Sequence, residues 1–193
     1  MKVNKEIFYH AYSGEKVNVG DVLVFNSGTH NKMYDEVYNN EYKTDGIDAN
    51  ELLINKKRNQ ERSFSIDEFE LLLNTVNNDA FVLRELALEE VRKMKYPNYP
   101  SRISCLYVTK TKEEAINWSE ILKRNKKKCK QVLTLELTGE IFCFDGNLMK
   151  RQNVSYQKHL ENAGLYWNSI DSNNSEIIFY GEAKVIEIEN IDM

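Results

Sequence analysis

Residues 101–118, SRISCLYVTKTKEEAINW, constrain this chain more than any other stretch. Ile103, Cys105 and Tyr107 alternate with Ser104, Leu106 and Val108. An aromatic and β-branched run of this kind predicts a strand. Thr111 then stands three residues before Glu114, the spacing of a capping box that opens a helix. Ala115, Trp118 and Leu122 follow at helical spacing with Ile121 beside them, and are expected to form the packing face. A strand that turns at once into a helix either buries Tyr107 as a core aromatic or holds it rigidly at the edge of a cleft. Taken alone, the stretch favours the core.

The N-terminal side predicts a strand at 6–12, where Ile7, Tyr9 and Ala11 alternate with Phe8, His10 and Tyr12. Gly14 breaks it, 17–21 make a turn and 22–25 form a short second strand. His10 is then either packed and bonded to a backbone carbonyl, or a rigid donor to a ligand. Residues 26–46 are polar, with Tyr34, Tyr38 and Tyr42 four apart. They read as a surface loop with a short helix, or as a flap over a cleft. His30 in this loop has no identifiable partner in the sequence.

A helix at 48–58 carries Leu52 and Leu53. A stronger one is expected at 65–76, with Ser65 and Glu68 as a capping box and Phe64 and Phe69 as a hydrophobic staple. Its apolar face is Ile66, Phe69, Leu72, Leu73 and Val76. Asn77 and Asn78 interrupt, and a further helix at 79–95 carries Leu83, Leu86, Ala87, Leu88, Val91 and Met94. Pro97 and Pro100 end it, because each disfavours helix in the residue before it. The basic run KRNKKK at 123–128 suits a helix C-terminus, and no aromatic residue interleaves it to stack on bases.

Strands are expected at 131–137 and 140–144 around a turn at Thr138 and Gly139. Asp145 is either an Asx turn or an acid at the mouth of an apolar site. A short helix at 153–163 carries His159, and Tyr166 and Trp167 either line a pocket or close the core. One or two strands interrupted at Gly181 complete the chain at 176–188. The whole predicts one α+β domain over residues 1–193.

Hydrophobic residues are 41% and charged residues 29% of the chain, the balance of a globular protein. The net charge of −4 supplies no global field for nucleic acid. Cys105, Cys129 and Cys143 lack CxxC spacing, which favours a reducing, cytoplasmic setting and argues against a cysteine zinc site. No segment reads as a signal peptide or as a membrane span.

Three blocks and a closing strand resemble a known arrangement. FYHAYSGEKVNVGDVLV at 8–24 is similar to a histidine strand, turn and “GDLL” strand. CLYVTKTKEEAINW at 105–118 looks like a tyrosine strand with an Ala/Trp-rich helix. VLTLELTGEIFCFDGNL at 132–148 looks like a strand, “TG” turn and acidic residue before Asn. IIFYGEAKVIEI resembles the closing strand. In this order the blocks resemble the ADP-ribosyltransferases of the His–Tyr–acid class, and in particular the small rifampin ADP-ribosyltransferase (Arr-like) group.

The resemblance implies an α+β fold with a split, strongly bent β core, flanking helices and a helical insertion at about 49–98. It implies NAD as co-substrate, no metal, and transfer of ADP-ribose with release of nicotinamide. His10 would bind a ribose hydroxyl, Ala11 the carboxamide through its backbone, and Tyr107 the nicotinamide ring. Asp145 would stabilise positive charge on the ribose, with Glu140 as the competing acid. Ala11 replaces the usual Gly after the histidine, and the insertion has no counterpart in compact members. The acceptor is left open among protein, nucleic acid and small molecule. A bacterial or phage toxin, defence, counter-defence or resistance role is compatible. NAD hydrolysis, or a non-catalytic nucleotide- or protein-binding module, is the alternative.

Overall fold

The computed structural model describes residues 1–124, 129–169 and 175–191. Of the basic run expected at 123–128 to close a helix, Lys123 and Arg124 stand in the last turn of the helix Lys112–Arg124, and 125–128 lie outside the described residues. The fold is mixed α/β, with five antiparallel strands and five helices among the described residues. The strands are β1 (Lys2–Tyr12), β2 (Val22–Phe25), β3 (Leu106–Val108), β4 (Gln131–Asp145) and β5 (Ser175–Asn190). Their order is β1-β4-β5-β2, with β3 paired to β5 off this path.

β4 and β5 form a long ribbon, paired from Gln131↔Asn190 to Asp145↔Ser175. The expected turn at Thr138 and Gly139 is continuous strand instead. Gly139 faces Gly181 across the ribbon, at φ +157° and +140°. A Cβ on Gly139 would lie 2.1 Å from the Tyr180 carbonyl oxygen, and one on Gly181 2.3 Å from that of Thr138. The glycine pair therefore permits a backbone approach that side chains would block, and the strands run through it.

The ribbon lets the strands close into a circuit. β1 pairs with β4 along one edge. At the other edge Tyr9 and Thr109 exchange backbone bonds of 3.0 and 2.8 Å. β3 in turn pairs with β5 through Tyr107↔Ile178, and β5 pairs with β4. His10 lies beside Leu133, which faces Ile188, ten positions along β5 from the partner of Tyr107. The ribbon must coil strongly to bring β3 round to β1. Phe8, Leu106, Val108, Leu133, Leu135 and Ile141 belong to one core cluster.

The helices are α1 (Lys32–Tyr38), α2 (Ala49–Arg58), α3 (Ile66–Lys95), α4 (Lys112–Arg124) and α5 (Tyr156–Asn168). The two helices expected at 65–76 and 79–95 are a single helix, α3. Asn77 and Asn78 cost only a few tenths of a kcal/mol each in helix propensity, and neither proline nor glycine breaks the run. Its capping box is present: Glu68 N–H donates to Ser65 Oγ at 3.2 Å and Ser65 N–H to Glu68 Oε2 at 2.7 Å. The buried face differs from the expected stripe. Leu71 is buried against Ala49 and Leu52 of α2, while Ile66, Phe69, Leu73 and Val76 are exposed.

The box at the start of α4 also forms, with Glu114 N–H to Thr111 Oγ1 at 3.3 Å. Ala115 is buried there, but Trp118 and Ile121 are exposed, contrary to the expected packing face. α5 starts later and runs further than 153–163, so Tyr166 and Trp167 are helical and close the core. Both are fully buried against Ala87, Leu88 and Val91 of α3 and Phe144 and Ile178 of the ribbon. Cys105 and Cys129 are buried free thiols and Cys143 is a half-buried one. Among the described residues no helix is long and apolar enough to cross a membrane.

Candidate functional site

The meeting of β1 and β3 positions three of the expected site residues. The Tyr9–Thr109 bridge is antiparallel and isolated, so by alternation from it His10 and Val108 take one face and Ala11 and Tyr107 the other. Side chains alternate along a strand. His10 therefore shares the face of Phe8, Leu133 and Val108, which pack inside the circuit. Tyr107 projects from the other face of β3, into the cluster with Phe144, Tyr166, Trp167 and Ile178. His10 and Tyr107 meet, but not ring to ring. His10 Nδ1 lies 2.7 Å from the Tyr107 carbonyl oxygen. The roles implied for His10 and Tyr107 would need both rings at one cleft; alternation from the bridge instead puts Ala11, not His10, on the face of Tyr107.

A carbonyl only accepts, so Nδ1 carries the proton and Nε2 is left as an acceptor. Burial pulls the His10 pKa down to about 4, partly offset by the bond to the Tyr107 carbonyl, so the ring is neutral at pH 7. Ala11 is half-buried. Tyr9 points its N–H and C=O toward Thr109, away from β4. Two residues on, Ala11 points its own pair the same way. Beyond the bridge β3 leaves β1, and among the described residues neither group of Ala11 has a backbone partner on that side.

Behind Tyr107 lies a cluster that sequence reasoning missed. Arg102 is buried, and its Nε donates to Glu85 Oε2 at 2.9 Å and its Nη1 to Tyr166 Oη at 2.7 Å. Nη1 also pairs with Glu176 of β5. Glu85 is bound from its other side by Arg84 at 2.6 Å. The guanidinium of Arg102 sits 5.4 Å from the Tyr107 ring centroid, and Tyr107 Oη donates to the Arg102 carbonyl at 3.0 Å. Asn31, the N-cap of α1, donates to that carbonyl at 2.7 Å. Burial alone would raise the Glu85 pKa, but Arg102 and Arg84 more than offset it and hold the carboxyl low. Burial also drives the Tyr107 hydroxyl well above its ordinary value, against the pull of Arg102. Tyr107 is thus a neutral, fixed ring. The signal in the sequence was a charged residue, Arg102, just before a strand and another, Glu85, between Leu83 and Leu86 of an apolar helix stripe.

Asp145 lies elsewhere. Its carboxylate accepts from Asn147 N–H at 2.9 Å and caps the single 3-10 turn Gly146–Leu148, as the Asx reading expected. From Tyr107 it is two strands across and three residues along. On flat-sheet spacings that is roughly 14 Å between Cα atoms. Glu140 is exposed and pairs with Lys2 and Tyr180 at the ribbon's glycine step. Neither acid stands between His10 and Tyr107. A cavity of about 740 Å³ opens on the other side of the Tyr9–Thr109 bridge, with Glu6, Ile7, Phe8 and Lys110 on one wall and Tyr99, Ile141, Phe142 and Phe144 on another. That volume suits a small-molecule ligand. None of His10, Ala11, Tyr107 and Asp145 lines it, although Asp145 follows Phe144 directly.

His30 stacks on Tyr34 with centroids 3.6 Å apart, so it does have a partner. His159 is buried, and its Nε2 has no hydrogen-bond partner among the described residues. No group of three or more His, Cys, Asp or Glu among the described residues is placed to hold a metal ion. A comparison with curated proteins finds no match. Residues 8–192 match the family described as “Protein of unknown function (DUF2441)”, a span that holds His10, Tyr107, Asp145 and the closing strand. The chain therefore belongs to the DUF2441 family.

Proposed function

We propose that the chain binds NAD at the parting of β1 and β3 and transfers its ADP-ribose to an acceptor. The observation that carries this reading is the open peptide edge of Ala11 beside Tyr107. A carboxamide needs one acceptor and one donor in line, and the free N–H and C=O of Ala11 supply that pair. The aromatic ring held by Arg102 is on the same face by register, where it can pack on the nicotinamide. His10 Nε2 is an acceptor at the same junction and suits a ribose hydroxyl. The split, bent β core implied by the resemblance belongs to this reading.

In the reaction the bond between ribose C1′ and the nicotinamide nitrogen breaks. Its electron pair leaves with the nicotinamide, which becomes neutral. The acceptor's lone pair forms the new bond to C1′, and the acceptor's proton passes to solvent. Positive charge on the ribose peaks between these events, and a carboxylate nearby would lower that barrier. The resemblance assigns this task to Asp145, which reaches the ribose only if the turn it caps gives way.

The position of Asp145 favours a second reading, a nucleotide-binding module that holds NAD without cleaving it. Purified protein incubated with NAD separates the two. Nicotinamide released only when lysate is added supports transfer, and release in buffer alone supports hydrolysis. Binding without release supports the module, and neither binding nor release contradicts both readings. Labelled NAD in a native lysate, followed by nuclease or protease digestion, shows which class of acceptor carries the label.

A further inference from the structure

The 740 Å³ cavity lies along strand edges rather than on a sheet face. Glu6, Ile7 and Phe8 are consecutive in β1, and their side chains alternate between its two faces. All three reach one wall only if that wall is an edge of the strand. It is the edge turned away from β4, because the other is paired with β4. The peptide of Ile7 supplies polar groups there. Tyr9 directs its N–H and C=O toward Thr109. Two residues earlier, Ile7 directs its own pair the same way. After Thr109 the chain leaves for α4, and among the described residues neither group of Ile7 has a backbone partner on that side. This open edge is one peptide unit long. Tyr9 is already used by Thr109, and the bulge at Lys5, φ +57°, ends the regular edge. An added peptide strand needs several such units in a row, so one donor with one acceptor selects a small molecule.

The walls select the rest of the ligand. Tyr99 and Phe142 are half-buried, with centroids 5.5 Å apart and planes at 60°. They form a corner against which a third flat ring can pack. The charged side chains of the lining are Glu6 and Lys110, one acid and one base, and the Met1 nitrogen is engaged with the Ile141 carbonyl at 2.8 Å. The lining side chains therefore offer no net charge to hold an ion. We infer that the cavity binds a neutral, planar aromatic molecule with adjacent donor and acceptor, a lactam or a carboxamide. Its ring lies against Tyr99 and Phe142, and its amide pairs with the Ile7 peptide. This site is separate from the edge at Ala11, which is four residues and roughly 14 Å further along β1, beyond the Tyr9–Thr109 bridge.

The test titrates the full chain with carbostyril, a neutral, fluorescent two-ring lactam, beside N-methylcarbostyril. Carbostyril should bind saturably. The N-methyl compound lacks the donor and should bind about tenfold more weakly, the effect of one hydrogen bond lost in an apolar site. Phe142→Leu removes the ring and should weaken carbostyril about fivefold. Ile7→Pro deletes the outward N–H where no ladder bond is lost, and should weaken it about tenfold. Excess NAD should not displace it. Absence of saturable binding, equal affinity for the two compounds, or affinity indifferent to both substitutions would overturn the proposal. The first two outcomes are read on the wild-type chain, so they stand whether or not a variant folds. Displacement of carbostyril by NAD would also overturn it, because the ring would then sit at the Ala11 edge. Nicotinamide release is a separate readout, so this outcome does not depend on the proposed reaction.

Discussion

Behind Tyr107, Arg102 and Arg84 meet Glu85 and Glu176 out of water, and tie α3, α5 and β5 to the segment before β3. At Ala11 the peptide edge points to the junction where β3 departs, and among the described residues it has no backbone partner there. One region has its charges matched and its donors used. The other keeps a donor and an acceptor in reserve. The difference teaches that the ionic cluster is the wall of the candidate site and the open edge is its binding surface. A wall should fail in stability when it is cut, and a binding surface should fail in ligand response.

The largest effect should come from the wall. Arg102→Leu leaves Glu85 and Glu176 without their shared cation, and breaking a buried pair in this way costs about 3–5 kcal/mol. Urea unfolding should show that loss. A cost below about 1 kcal/mol would mean that the cluster is solvated and does not brace Tyr107.

Acid sharpens the contrast, because the two regions respond at different pH. His10 is neutral in the fold, with a pKa of about 4 against an ordinary 6.5. The unfolded chain therefore binds the proton first as pH falls below 6.5, and stability drains away until about pH 4. Allowing for the half-buried ring, the loss is about 2 kcal/mol. Glu85 is shifted low, so its contribution persists through this window and is lost only below the ordinary carboxylate range. His10→Leu should flatten the slope between pH 6.5 and 4, leaving the part contributed by His159, which burial also shifts low. An unchanged slope in that variant would place the acid sensitivity elsewhere.

Smaller effects separate the two faces of β3. Tyr107→Phe removes one hydrogen bond to the Arg102 carbonyl and should cost about 1 kcal/mol, with NAD affinity little changed because the ring remains. Asp145→Asn weakens a side-chain acceptor at the turn and should cost about 0.5–1 kcal/mol. A loss of nicotinamide release by about a hundredfold in a stable Asp145→Asn protein would instead show that the carboxylate reaches the ribose.

The elements were more legible in the sequence than their joining. The capping boxes at Ser65 and Thr111 depend on residues three apart, and both formed. The single α3 and the unbroken β4 were missed because Asn77, Asn78 and Gly139 resemble breakers until tertiary pairing runs across them. The exposed stripe at Ile66, Phe69, Leu73 and Val76 was read as core, since periodicity shows that a face is apolar and not what covers it. In the site, the proximity of His10 and Tyr107 was expected from the resemblance. Their opposite faces follow from the Tyr9–Thr109 register, which no local pattern encodes. The Arg102 cluster depends on residues 17, 64 and 74 positions apart, so its charges were visible in the sequence but their pairing was not.

The most direct test is the NAD-dependent melting temperature of the wild-type chain beside that of Ala11→Pro. Proline deletes the N–H that faces the junction, at an edge where no ladder bond is lost. NAD at a hundredfold excess over its dissociation constant should stabilise the wild-type protein by about 2.7 kcal/mol and should leave Ala11→Pro unshifted. A wild-type protein indifferent to NAD, or an Ala11→Pro protein stabilised as much as the wild type, would contradict binding at the Ala11 edge.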